Sequence, residues 1–481
     1  MFEVQILFVP GASAVIRIEA VEALRETAAM ARQRSVFGDK RLERRGELFV
    51  DRMVEHGSCT IRRLGEGRAG IVGFGRFLGN PKVIAEEIVA PASRRLGEAA
   101  RGQHVLTIQD TTEVNYQHHV GRVQGLGPAG NGRDRGLFVH PVIAVSAADG
   151  ALLGLAGAEV WTRAEESSGT DYRDLPIEDK ESYRWLVGAR QAKAVLGQAA
   201  HVTMIADRES DIYEEWVRLP DERFDLLTRA SRDRALADGG RLFTVADDWP
   251  EAARAEIALR ARPGRAARTA TLAVRFGAVT IKRPRRCRDR QAPEQLALHL
   301  VDVREVDATV AGPIHWRLVT THVVGTVEMA WQVVAWYRQR WHIEQVFRTM
   351  KRQGLDLEAS QVCNGEGLIK LAAMATVAAV RIMQLVLARD GTSERPATDV
   401  IAPSLMAPAK ALRRKLEGKT QAQRNPHPEE SLAWLAWIVA RLGGWSGYQS
   451  ERPPGPITMR RGLDRFEAIS YGWNLKHHVQ M

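Results

Sequence analysis

HVTMIADRESDIYEEWVR, residues 201–218, decides how the chain is read. Its first six residues form a short apolar run of the kind that fills a sheet buried on both faces, and from Ser210 to Arg218 the pattern turns helical. Strand running into helix is the unit of an α/β domain. Asp207 stands between the two, at the carboxyl end of the strand, where open α/β sheets bind their ligands. Taken alone, such an Asp is most often a turn former or helix N-cap, and Asp207 is well placed to cap the helix that follows.

Working outward, the same signal occurs upstream. HVLTIQD ends on Asp110, and Val139–Ser146 and Leu152–Val160 are further short runs rich in Val, Ile and Leu, followed by a helix that closes near Ala199. The order is strand, strand, strand, helix, strand, helix. Downstream the period changes: RFDLLTRAS, EIALRAR, ATLAVRF, VTIKRP, QLALHLVDV and HWRLVTT alternate apolar and polar residues, as half-exposed antiparallel strands do. This block, about Phe224 to Val324, interrupts the α/β pattern and carries the basic run KRPRRCRDR, residues 282–290, which fits a solvated loop or a phosphate-facing one.

After the block comes WYRQRWHIEQVFRTMK, Trp336 to Lys351, with no Pro or Gly to break a helix. On one continuous helix at about 100° per residue, Arg340, Glu344 and Lys351 would lie about 60°, 20° and 40° from Tyr337, in one polar stripe. Ile343, Val346, Phe347 and Met350 lie beside it and can seat the helix on a core. A charged helix face with i,i+4 pairing explains such a stripe in isolation.

The 481 residues carry 68 Lys and Arg against 58 Asp and Glu, a net charge of +10, which favours a polyanionic partner such as nucleic acid. The three cysteines are too few and too scattered for a disulfide framework or a cysteine zinc site, so a reducing compartment, the cytoplasm, is expected. MFEVQILFVPGASAVIRIEA lacks a basic start and has Glu3 early, so no signal peptide is expected. Leu368–Leu387 is apolar but interrupted by Lys370 and Arg381; it reads as a buried helix, and no membrane partner is expected. Before about residue 98 the pattern is helical, with Lys40, Arg41, Arg76 and Lys82 among its crowded basic residues, which points to DNA binding. Beyond Gly391 a Pro-rich charged stretch leads to the apolar helix Leu432–Leu442, which either folds back on the core or pairs with a second subunit.

Asp110 and Asp207 at two strand ends, with Glu344 on a later amphipathic helix, make a different object from any one of them. An unpaired buried acid is too costly to be ordinary core. Three carboxylates can hold two divalent cations of the magnesium type, which prefer hard oxygen ligands. Such a pair activates the attacking oxygen and stabilises the leaving oxygen of a phosphodiester displacement.

IQDTTEVNY around Asp110, IADRESDIY around Asp207, and the spacing of Tyr337, Arg340, Glu344 and Lys351 together resemble the DDE transposases with the Y-R-E-K signature, the insertion-sequence-four family. FGDKRL, RFLGNPKV, DKESYRW and ARLGGW are similar to shorter family signatures and extend the likeness over most of the chain. The resemblance implies a ribonuclease-H-like mixed α/β sheet with an inserted, mainly antiparallel β domain and helical N- and C-terminal regions. The divisions expected are an end-binding module at 1–98, the catalytic core at 99–222 and 326–390, the insertion at 223–325, and a linker with a dimerisation region at 391–481. It implies Asp110, Asp207 and Glu344 as ligands of two Mg²⁺ ions, with Mn²⁺ as the alternative. It implies Tyr337, Arg340 and Lys351 as contacts to the phosphates of double-stranded DNA, and a homodimer on that DNA. Trp316 is placed either as a base-stacking aromatic or as a cross-strand aromatic, and Arg229, Arg232 and Arg234 as further DNA contacts. The implied activity is cut-and-paste transposition, with a plain nuclease on the same core or a DNA-binding inhibitor as the alternatives. Residues ahead of about Arg32 depart from the family pattern and take no family role.

Overall fold

The computed structural model describes residues 36–119, 121–164, 174–259, 267–306, 313–391, 395–448, 451 and 453–479, so the readings of the first 35 residues lie outside them. Among the described residues four helices come first: α1 (Lys40–His56), α2 (Ile61–Leu64), α3 (Arg68–Leu78) and α4 (Ala85–Ala99). Asp39 caps α1 by accepting from the Arg41 amide, and Gly57 ends it in the left-handed region at φ 51°. The apolar stripe of α1 stacks Phe49 on Phe74 of α3 at 4.2 Å between ring centroids. Its other face leaves Lys40 and Arg41 in solvent.

The strands are β1 (His104–Gln109), β2 (Thr112–Asn115), β3 (Gly127–Ala129), β4 (Asp134–Ser146), β5 (Leu152–Trp161), β6 (His201–Ala206), β7 (Phe224–Arg229), β8 (Ala253–Leu259), β9 (Arg268–Lys282), β10 (Gln295–Glu305) and β11 (His315–Thr320). All belong to one mixed sheet, ordered β2-β4-β1-β6-β7-β11-β10-β9-β8, with β3 and β5 also on β4. The residues between β5 and β6 give α5 (Arg184–Val195), and α6 (Tyr213–Arg218) links β6 to β7. After β11 come α7 (Val327–Arg338), α8 (Trp341–Arg348) and α9 (Gly365–Ala388), then α10 (Met406–Leu416), α11 (Leu432–Leu442) and α12 (Pro456–Val479).

One register runs through β1 and β2 on β4, from Val105 opposite Ser146 to Asn115 opposite Gly136. It places Asp110 opposite Pro141. The outer bonds of this ladder, Ala147 N to His104 O and Tyr116 N to Arg135 O, fall on even-numbered residues of the first strand, which makes Asp110 a hydrogen-bonding position. Pro141 has no N–H to give it. The ladder therefore opens at Asp110, and the chain leaves regular strand there.

Three expectations change. RFDLLTRAS is not an antiparallel member of the later block: β7 pairs in parallel with β6 and is buried, which extends the central sheet before antiparallel β11 continues it. ATLAVRF and VTIKRP are one strand, β9, because the glycine between them makes no turn. The indole of Trp249 lies over Gly277, where a Cβ would come within 2.9 Å of the ring. The stretch Trp336–Lys351 is not one helix. Gln339 and Arg340 bond back three residues, to the carbonyls of Trp336 and Tyr337, so α7 closes in a tight turn, α8 starts afresh, and Lys351 sits in a π-turn at Thr349–Gln353.

The C-terminal region is part of the fold. α11 is buried from Leu432 to Ala440 and packs against α9 and α12, so it is not an exposed dimerisation surface. α9 is apolar and long enough to cross a membrane by composition, yet 89% of its most apolar window is buried inside the protein. Lys370, on its buried side, donates to the carbonyls of Leu78 (3.0 Å) and Asn80 (2.9 Å) and so satisfies the end of α3. Lys370→Met should leave both carbonyls without that donor. The expected loss is about 1–3 kcal/mol, read as a lower urea midpoint with an unchanged m value.

Candidate active site

Parallel strands β1 and β6 pair His104 with His201 and Ile108 with Ile205, a constant offset of 97 (201 − 104, 205 − 108). Asp110 and Asp207, which follow the two strands, have that same offset and stand level with each other. Each carboxylate accepts the next backbone amide, Thr111 N at 2.8 Å and Arg208 N at 2.8 Å. Asp207 thereby starts the short 3₁₀ turn Arg208–Ser210. Glu344, in the first turn of α8, completes the group.

At the centre is the guanidinium of Arg340. It lies 3.0 Å from Asp110 Oδ2, 3.4 Å from Asp207 Oδ2 and 3.6 Å from Glu344 Oε1. Burial opposes its charge, but the surrounding Asp207, Tyr337, Asp110 and Glu344 outweigh it and raise its pKa. Burial also dominates at Asp110, pushing it up to about 6 although Arg340 and the Thr111 amide favour the charged form. Tyr337, in the last turn of α7, donates to Asp207 Oδ1 at 3.3 Å; burial pushes its phenol up to about 12. Trp316 on β11 meets the Tyr337 ring edge-on at 5.6 Å.

The donor set is three carboxylates, all hard oxygen, converging on one positive charge. That suits magnesium-type cations.

Lys351 is drawn away from Glu344. Its ammonium donates to the Glu113 carbonyl of β2 at 2.5 Å and pairs with Glu358 at 3.5 Å. Arg229 lies at the site's edge and donates to the His315 carbonyl at 3.0 Å. Arg232 is exposed, with its backbone amide on Asp211. Arg234 is not a surface cation: it is 6% exposed, its guanidinium pairs with buried Asp211, and it covers the Trp216 ring at 4.7 Å. An arginine spent on a buried carboxylate is a structural tie, which corrects its reading as a DNA contact. Lys40, Arg41, Arg76 and Lys82 are exposed on the helical module, outside the carboxylate group.

Behind the two aspartates runs a buried polar chain that motif reading missed. Arg184 donates to Thr111 Oγ1 (2.9 Å), which bonds His140 Nδ1 (2.9 Å). His140 Nε2 bonds Gln109 Oε1 (3.2 Å), and Gln109 donates to Glu215 (3.2 Å), which also accepts from Ser210 (2.5 Å). The turn after Asp110 is thus joined to the turn after Asp207. Gly188 lets α5 approach: a Cβ there would sit 2.9 Å from Gln109 Oε1 and 3.0 Å from Val142. Some of these positions were visible as letters in DKESYRW and IADRESDIY, but nothing in the sequence pairs them. Complete burial pushes His140 down to about 3 and Glu215 up to about 8, the latter against two hydrogen bonds that favour its charged form.

Asp110 and Asp207 follow two adjacent strands of the mixed sheet and Glu344 stands on α8, so two aspartates and one glutamate from three elements meet at one guanidinium. Residues 189–381, which include Asp207 and Glu344 and leave Asp110 outside, match the family described as the transposase DDE domain. The match supports a DDE-type transposase. Among solved structures, a piggyBac transposase in a synaptic complex with hairpin DNA overlaps at 8% identity and a TM-score of 0.30, covering 76% of this chain and 57% of that one. The chain therefore spans less than two thirds of that protein's length.

Glu215 sets a pH dependence. Its folded pKa lies above the ordinary 4.5, so the folded chain binds the proton more tightly, and stability from this group is full below about pH 4.5 and is lost as pH rises to about 8. Glu215→Gln should flatten that fall. Urea midpoints at intervals from pH 5 to 9 give the comparison, and equal slopes in the two proteins would show that Glu215 is charged throughout.

Proposed function

We propose that the chain is a cut-and-paste DNA transposase of the insertion-sequence-four type, with Tyr337, Arg340, Glu344 and Lys351 as its Y-R-E-K residues. The observation that carries this reading is the convergence of Asp110, Asp207 and Glu344 on one guanidinium at the carboxyl ends of adjacent parallel strands. The run β5-β4-β1-β6-β7, with β4 antiparallel and β6 parallel to β1, is the basis for reading a ribonuclease-H-like core; β8 to β11 are then its insertion.

In this reading the three carboxylates hold two Mg²⁺ ions, or Mn²⁺. Bound there, such ions supply activation of the attacking oxygen and charge stabilisation at the leaving oxygen of a phosphodiester displacement. The remaining work falls to the chain. Arg340 balances the three carboxylates, and its planar fork would suit phosphate oxygens of bound DNA. Tyr337 orients Asp207 by its hydrogen bond. Trp316, half-buried beside Tyr337, offers an aromatic edge on which a displaced base can stack. Lys351 anchors β2 through the Glu113 carbonyl and so steadies the strand that follows Asp110. The excess of basic residues draws double-stranded DNA, first as transposon ends and then as target. Two ends call for two copies of the chain.

Asp207→Asn should bind end DNA nearly as well as wild type while losing Mg²⁺-dependent and Mn²⁺-dependent cleavage. Persistent nicking by that variant sinks the assignment. A strand-transfer assay separates a transposase from a plain nuclease, since only the former joins cut 3′ ends to a target duplex. Arg340→Ala tests the balancing role: with divalent cations chelated its melting temperature should fall below wild type, and added Mg²⁺ should raise it by more than it raises wild type.

A further inference from the structure

At the opposite end of the same strands lies a second group of metal-ligating side chains. His201 opens β6, Asp225 is the second residue of β7, and His322 follows β11. His201 Nε2 is 2.9 Å and His322 Nδ1 is 3.3 Å from the same oxygen, Asp225 Oδ2. The three donor atoms all lie within 4.8 Å of one another.

We propose that His201, Asp225 and His322 bind one zinc-type transition-metal ion, at a site separate from the carboxylate centre and independent of how that centre is read. Two imidazoles and one carboxylate suit zinc, whereas magnesium prefers an all-oxygen set. With bonds of about 2.0–2.1 Å, tetrahedral ligand atoms stand roughly 3.3 Å apart, which is the scale of the two spacings to Asp225.

The surroundings are built for ligation. Thr321 Oγ1 donates to Asp225 Oδ1 at 2.6 Å, which leaves Oδ2 for the ion. Thr203 Oγ1 holds His322 Nε2 at 2.8 Å and so turns Nδ1 towards Asp225. The same hydroxyl holds His104 Nε2 at 2.9 Å, and Trp336 of α7 packs on His322 at 4.9 Å between ring centroids. Outer partners of this kind orient ligating histidines.

The position suggests what the ion does. Asp225 lies on β7, the strand beside β6 from which the chain passes into β8–β11, and His322 lies just after β11, while His201 opens the strand that Asp207 follows. An ion on all three ties the strand before β8–β11 and the chain just after them to β6, directly before α7 and α8 deliver Tyr337, Arg340 and Glu344.

The test uses the full chain, stripped with chelator and titrated with Zn²⁺ in excess Mg²⁺. Wild type and Asp207→Asn should each take up one Zn²⁺ per chain and melt at a higher temperature with it. Thr203→Val should weaken binding roughly 10–100-fold, and His201→Gln or His322→Gln at least as much, with the thermal shift lost. Absence of stoichiometric binding in wild type, unchanged binding in both histidine variants, or loss of binding in Asp207→Asn overturns the proposal. Should the histidine variants fail to fold, Co²⁺ in the wild type decides. Visible bands of a tetrahedral ion and hyperfine-shifted protons of two imidazoles support the site, and bound Co²⁺ without them overturns it.

Discussion

The side-by-side parallel pairing of β1 with β6 is the constraint on which the rest of the site depends. Because the two strands share one offset throughout, whatever follows them emerges level at one edge of the sheet. Asp110 and Asp207 follow them. Opposite Asp110 the ladder cannot close, since Pro141 has no N–H, and the carboxylate turns out of the strand there. The same pairing puts His104 beside His201 at the far end, so each end of these two short strands carries its own cluster.

Bringing two aspartates together in a half-buried place creates an electrostatic problem, which Arg340 meets. Burial raises the Asp110 pKa, and the nearby Glu344 and Asp207 carboxylates add to the rise. One guanidinium within reach of all three carboxylates keeps the group compatible with folding. The Arg184–Thr111–His140–Gln109–Glu215–Ser210 chain supplies what an arginine cannot. It fixes the two turns relative to each other, through groups whose burial holds His140 neutral and raises the Glu215 carboxyl.

Strands β8–β11 are joined to this arrangement on both sides. The chain enters them from β7, parallel to β6, and returns through β11, which pairs with β7 and carries Trp316 to within ring contact of Tyr337. α11 is buried on α9, and α9 reaches α3 through Lys370. Removal of either region would expose apolar surface of the same core.

By itself the sequence determined the strands that end on Asp110 and Asp207, the helical character around Glu344, the buried nature of α9 and the basic balance of the chain. These are local matters, set by side-chain period and by the residue types that end an element. It left α11 between folding back and pairing with a second copy. Besides the changed readings of β7 and β9, the single helix over Trp336–Lys351, Arg234 as a DNA contact and Lys351 in one stripe with Glu344 came out differently, and tertiary partners decide where these side chains end up. Gln339 and Arg340 close a tight turn that places the guanidinium among carboxylates from two other elements. Arg234 meets Asp211, and Lys351 meets Glu113. The polar chain behind the aspartates was illegible for the same reason. A hydrogen bond between residues a hundred positions apart leaves no trace in spacing or composition, and only the packed structure decides which donors meet which acceptors.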